Sequence, residues 1–197
     1  MEVLDEGILE VGASGEIHSA NGRGLSMLGL EALPPHLHLR DAVLSGMGAI
    51  FLHSAHHSRP FRYLMGTSCN LTWRESGDSE RLWVIEPSHP ITRGIDRCFY
   101  LEHEETYGEP FVIPTPDKLL LIGTYSGGEV FRSGCLYERG NGKIFYFQPG
   151  HEFCRSFYNP YVQRILKNAV RWAAPNEIVY PIENGCPCLQ YKLSDKF

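Results

Sequence analysis

Gly142-Lys143-Ile144-Phe145-Tyr146-Phe147-Gln148-Pro149-Gly150-His151-Glu152 is an apolar run that stops abruptly and then presents two proton-moving side chains. Ile144 to Phe147 is short, apolar and rich in aromatics, the pattern of a strand buried on both faces. Gln148-Pro149-Gly150 cannot continue it, so a tight turn follows. A second stretch reads the same way: Gly48-Ala49-Ile50-Phe51-Leu52, then His53-Ser54-Ala55-His56-His57. Ligands of open α/β sheets bind beyond the carboxyl ends of strands. The two stretches therefore predict neighbouring parallel strands, with His53 and His151 facing one cleft. The competing reading is two core strands with polar caps.

The other elements are placed outward from these two. Leu119–Tyr125 and Val130–Tyr137 flank Gly127-Gly128 and read as a hairpin. Arg81–Glu86 and Cys98–Leu101 are further strands, and Arg40–Ser45 and Arg59–Leu64 are short helical pieces. The clearest helix is Tyr161–Trp172, in which Val162, Ile165, Leu166, Ala169 and Val170 share one face. Residues 1–40 read differently, because Gly12, Gly15, Gly22, Gly24, Gly29 and Pro34-Pro35 interrupt regular structure. Ile8–Val11 alone reads there as a strand, and Ala13–Leu33 as mostly irregular. The tail from Asn176 has no periodicity and is expected to wrap the surface.

Bulk properties exclude several classes. The 197 residues suffice for one full core, with 43% apolar and 21% charged residues. A net charge of −5 without a basic tract argues against nucleic acid. No apolar run approaches a membrane span, and Met1-Glu2-Val3-Leu4-Asp5-Glu6 is acidic where a secretory leader would be basic. Cysteines at 69, 98, 135, 154, 186 and 188 lack zinc-finger pairing and read as reduced thiols, so the expected compartment is the cytoplasm. Cys186-Pro187-Cys188 reads as incidental rather than metal-binding.

Three groups carry chemistry. His53, His56 and His57 follow one strand, and His151-Glu152 follows another; imidazole titrates near neutrality and ligates metals. Glu104, Glu105 and Glu109 surround Tyr107-Gly108, either a carboxylate–aromatic surface for sugar hydroxyls or a solvated acidic loop. Glu129 and Arg132 sit three apart in an extended segment, which points them to opposite faces. A glutaminase elbow would need a cysteine where His53-Ser54 stands.

The motifs together resemble the ThuA-like family, named for trehalose utilisation. They are Leu44–His56, Phe61–Arg74, His89–Ile95, Glu105–Pro114, Gly127–Gly134 and Phe145–Glu152, in order within residues 42–175. The resemblance implies an α/β, flavodoxin-like three-layer sandwich related to class I glutamine amidotransferases but without their cysteine. Residues 1–41 are then an atypical amino-terminal segment, 42–175 the domain and 176–197 a tail. It also implies a role in disaccharide catabolism on trehalose or a keto-derivative. His53, His151 and Glu152 are the expected catalytic residues; His56, Glu105, Tyr107, Glu109, Glu129 and Arg132 the expected substrate contacts. His53, His56 and His151 would supply the three protein ligands of a divalent metal, most plausibly zinc. The expected partners are a small sugar and a second copy of the chain, with no nucleic acid and no membrane. Two departures stand out: Ala55 replaces a glycine, and two β-α units with a Trp-Trp-Gly-His strand end are missing from residues 1–40. The alternative is a non-catalytic sugar-binding or regulatory module that keeps the fold.

Overall fold

The computed structural model describes residues 9–12, 15–28, 30–33 and 35–175. The tail, with Cys186 and Cys188, lies outside them. Among the described residues, ten strands run in chain order as β1 (Leu9–Val11), β2 (Ile17–Ala20), β3 (Ala49–Leu52), β4 (Thr72–Arg74), β5 (Glu80–Val84), β6 (Cys98–Leu101), β7 (Thr106–Gly108), β8 (Lys118–Tyr125), β9 (Val130–Arg139) and β10 (Gly142–Phe147). The helices are α1 (Gly22–Met27), α2 (Leu39–Ser45), α3 (Arg59–Met65) and α4 (Pro160–Ala173).

Six strands form the central sheet in the order β3-β10-β9-β8-β5-β6. Alternation along each strand sorts its side chains to the two faces. In β10, Ile144 and Tyr146 join one core with Val43, Phe61, Leu64 and Met65 of α2 and α3. Phe145 and Phe147 join the other core with Val162, Ile165 and Ala169 of α4. From Ile144 to Phe147 the strand therefore carries no charged residue, because helices cover both faces. The result is an α/β/α sandwich, compatible with the flavodoxin-like expectation. Only β3 and β10 pair in parallel; the other four pairings are antiparallel.

Helix α4 begins where Asn159 accepts hydrogen bonds from the amides of Tyr161 and Val162, with Pro160 in the first turn. Its buried face is Val162, Ile165, Ala169 and Ala173. Val170 was expected on that face but is exposed. It lies eight residues beyond Val162, about 80° further round at 3.6 residues per turn.

The amino-terminal segment is more regular than its glycines imply. β1 and β2 pair antiparallel, and α1 is capped by the Asn21 side chain, which accepts from Gly24 N. Ile17, Leu28, Leu37 and Ala42 make a small core of their own. The described part of 13–33, expected to be mostly irregular, thus holds β2 and α1, and α2 runs across the boundary expected at residue 41.

One end of the sheet collects the loops that matter. β3, β6, β8 and β10 finish there and β5 and β9 start there, as the registers Glu80↔Tyr125, Glu80↔Leu101 and Phe147↔Gly134 require. Over this end sits a two-stranded ribbon of β4 and β7, which pairs Trp73 with Tyr107.

Candidate functional site

His53 and His151 follow adjacent parallel strands, and their rings lie edge-to-face with centroids 5.4 Å apart. At His53 the chain turns out of β3 into a short 3-10 helix, with φ of +47°. A non-glycine residue held in the left-handed region is strained, and such strain clusters at functional sites. Several bonds hold it there. The Tyr146 hydroxyl donates to the His53 carbonyl at 3.1 Å, and the Tyr107 ring stacks on the imidazole at 5.2 Å and 13°.

Hydrogen bonding assigns the protons. His53 Nδ1 lies 3.0 Å from the Gln148 carbonyl, which only accepts, so Nδ1 carries hydrogen. His53 Nε2 then faces Glu105 Oε2 at 3.0 Å. Two acceptors at that distance require one proton between them. Burial lowers the His53 pKa and raises that of Glu105, with the mutual charge attraction opposing both. Both burial effects favour the uncharged pair, a protonated Glu105 donating to a neutral imidazole. On the other wall, the Phe153 amide donates to His151 Nδ1 at 3.4 Å. This leaves the His151 proton on Nε2, 3.5 Å from Glu75 Oε1 and 3.9 Å from Glu152 Oε2.

The pocket between the walls has a volume of about 270 Å³, lined also by Ser54, His56, His57, Trp73 and Tyr107. Burial holds the Tyr107 phenol above its usual range, so it remains a donor.

A family model described as trehalose utilisation, ThuA, matches residues 35–173. The chain belongs to the ThuA family. Among solved structures, a ThuA-like protein of Parabacteroides merdae superposes with a TM-score of 0.58 at 16% identity, covering 78% of this chain and 70% of its own. A ThuA-like protein of Bacteroides uniformis gives 0.47 at 20% identity, covering 73% and 66%. A cytoplasmic protein of Salmonella typhimurium gives 0.49 at 13% identity, covering 77% and 66%. The first likeness supports the fold. No curated protein matches the chain. No helix among the described residues is long and apolar enough to cross a membrane.

The ThuA motif residues divide sharply. His53, Glu105, Tyr107 and His151 converge, with His56 behind them and Glu152 on the rim, its side chain 73% exposed. Glu109, Glu129 and Arg132 line no part of this pocket. Glu109 and Arg132 form a bidentate pair, and Arg132 Nη2 also donates to the Phe111 carbonyl at 2.5 Å. Glu129 is clasped by Arg74, whose Nη2 also reaches Asp78 at 2.6 Å. These paired charges brace the loops beside the pocket.

The expected metal set also changes. Among the described residues, His53, Glu105 and His151 bring their ligand atoms within 4.8 Å of one another. His56 is absent from this group, because its Nδ1 is spent on the Cys69 carbonyl at 3.0 Å and its Nε2 is enclosed. Burial drives the His56 pKa down to about 4.

Glu104 was not separable from its neighbours in the sequence. It is fully buried and accepts from the amides of Glu105, Gly150 and His151 and from the Ser156 hydroxyl. It clamps the loop that carries His151. Gln148 was also missed: its backbone carbonyl fixes the His53 tautomer while its side-chain amide donates to the Glu105 carbonyl at 3.1 Å.

Proposed function

We propose that this pocket transfers protons on a neutral sugar, trehalose or a related disaccharide or its keto-derivative, within cytoplasmic sugar catabolism. The observation that carries the reading is the facing of two proton-bearing groups across one pocket. The His53–Glu105 pair shares a proton on one wall, and His151 presents Nε2–H from the other. A carbonyl ligand between them would gain a proton on its oxygen from His151 Nε2 and lose one from the neighbouring carbon to the His53–Glu105 pair, which is general acid–base catalysis. A keto-sugar suits this best, because its carbonyl acidifies the neighbouring C–H. Family membership supports the substrate class. Self-association through β3, an edge strand of the sheet, belongs to the same reading and is checked by sedimentation.

The same three groups suit a divalent ion. Two imidazoles and a carboxylate are a donor set that zinc takes with one position left open. The ion would supply Lewis acidity. Its binding would need the shared proton released and the His151 proton moved off Nε2, so it should be bound with proton release and removed by a chelator.

The test is conversion of trehalose and of keto-trehalose, followed by product analysis. H53A, E105Q and H151N should each reduce turnover at least about 100-fold, the range of a lost acid or base. Unchanged turnover in H151N would end the acid–base assignment. Sugar binding without any turnover would favour the non-catalytic module.

A further inference from the structure

We infer that the full ligand is a neutral oligosaccharide, a disaccharide unit extended by a further ring that lies against Phe153 and Tyr158. The inference rests on the proposed function, since it extends the same site. Two loops leave the site end of the sheet, residues 102–105 after β6 and residues 148–159 between β10 and α4. Three depressions follow one another between them. The inner is the pocket of about 270 Å³ that holds His53. The middle, about 280 Å³, shares Glu105 and His151 with it. The outer, about 510 Å³, shares His103, Phe153 and Cys154 with the middle. Glu105 and His151 are only 9% and 8% exposed, so they floor the passage between the first two instead of rising across it. Buried Glu104 fastens the loops together through Gly150, His151 and Ser156.

The inner and middle depressions are alike in size, and a disaccharide places one ring in each. The largest depression is left for the extension. Phe153 is 86% exposed and Tyr158 78%, unusual for aromatic rings, and both line it. Hydrogen-bonding groups surround them. Arg155 can donate and Glu102 can accept, and neither side chain has a partner among the described residues. His103 Nδ1 lies 3.0 Å from the Gly77 carbonyl, which leaves Nε2 of the neutral ring to accept. Apolar rings edged by free donors and acceptors match a pyranose, which presents an apolar C–H face and hydroxyls around its rim.

Charge decides against a phosphorylated or acidic sugar. Arg155 is the one arginine or lysine lining the three depressions, and the exposed carboxylates of Glu75, Glu102 and Glu152 outnumber it. An anion would meet net negative potential. An aromatic aglycone would use the two rings but leave Arg155 and Glu102 without hydroxyls to meet.

The experiment is calorimetric titration of the full chain with trehalose and, separately, with glucosyl-trehalose, which carries one further glucose. The proteins are wild type, Y158A, Y158F and R155A. Wild type should bind glucosyl-trehalose at least about 10-fold tighter than trehalose. Y158A should remove most of that gain and leave trehalose within about twofold. Y158F should keep it, and R155A should lose part of it. Tyr158 and Arg155 are exposed and line no part of the inner pocket, and a circular dichroism spectrum confirms that each variant folds. Equal affinities in wild type, a gain that survives in Y158A, or equal weakening of both sugars overturns the outer subsite while leaving the proposed function standing. A Y158A that changes only the sedimentation of the protein makes the patch a contact between copies and overturns it too. A wild type that binds neither sugar overturns both.

Discussion

Glu104 and Glu105 are adjacent and identical, yet they do opposite things. Successive residues of an extended chain point to opposite sides. Glu105 turns to His53, and Glu104 turns into three amides and a hydroxyl. Glu104→Gln places an NH2 group against a nest of donors. It should lose about 1–3 kcal/mol of stability, the penalty for leaving buried donors unpaired. Glu105→Gln should hold its stability and lose function. Urea unfolding of both variants, set beside their turnover, separates the two roles. If Glu104→Gln unfolds at the wild-type midpoint, the clamp is wrong. At this scale the histidines were legible, because each follows an apolar run that can only be a strand. The division of labour among the acids was not, since it depends on which loop folds back over them.

Elements with a run of apolar residues or a clear apolar face were legible. β10 and α4 carry enough residues for a period to emerge, and both were placed to within two residues. β4 and β7 have three residues each and no period at all. Their pairing comes from the tertiary fold, which brings residues 72–74 against 106–108. β2 and α1 were hidden by glycines, although Asn21 is a good cap for the turn that follows. The face of α4 provides a quantitative check. Ile165 is fully buried and Val170 largely exposed. Ile165→Ala should cost about 2–5 kcal/mol as a core truncation. Val170→Ala should stay within about 0.5 kcal/mol. Similar losses at both positions would mean that α4 is rotated from the orientation described.

The molecule as a whole carries an acid in its core. Glu80 starts β5 at the site end of the sheet and has no exposed surface. Ser133 Oγ donates to it at 2.9 Å, and Gly123 leaves it room, since a Cβ there would lie 2.1 Å from its Oε1. Burial first, and then the nearby Glu104 charge, pushes its pKa from 4.5 up to about 8. Between those two values the folded protein keeps a proton that the unfolded chain releases. Stability from this group is therefore fully present below about pH 4.5 and is lost as pH rises towards about 8. The slope is at most about 1.4 kcal/mol per pH unit for one group. His56 acts in the reverse sense, because its depressed pKa removes stability as pH falls below its ordinary 6.5. The wild-type curve alone mixes the two. The difference between Glu80→Gln and wild type isolates the acid, since glutamine stays neutral throughout. Urea midpoints at pH 5, 6.5 and 8 should show Glu80→Gln gaining on the wild type at each step. Parallel curves would place an ionised carboxylate in the core at neutral pH, and the sheet would then need a cation there that the described residues do not supply.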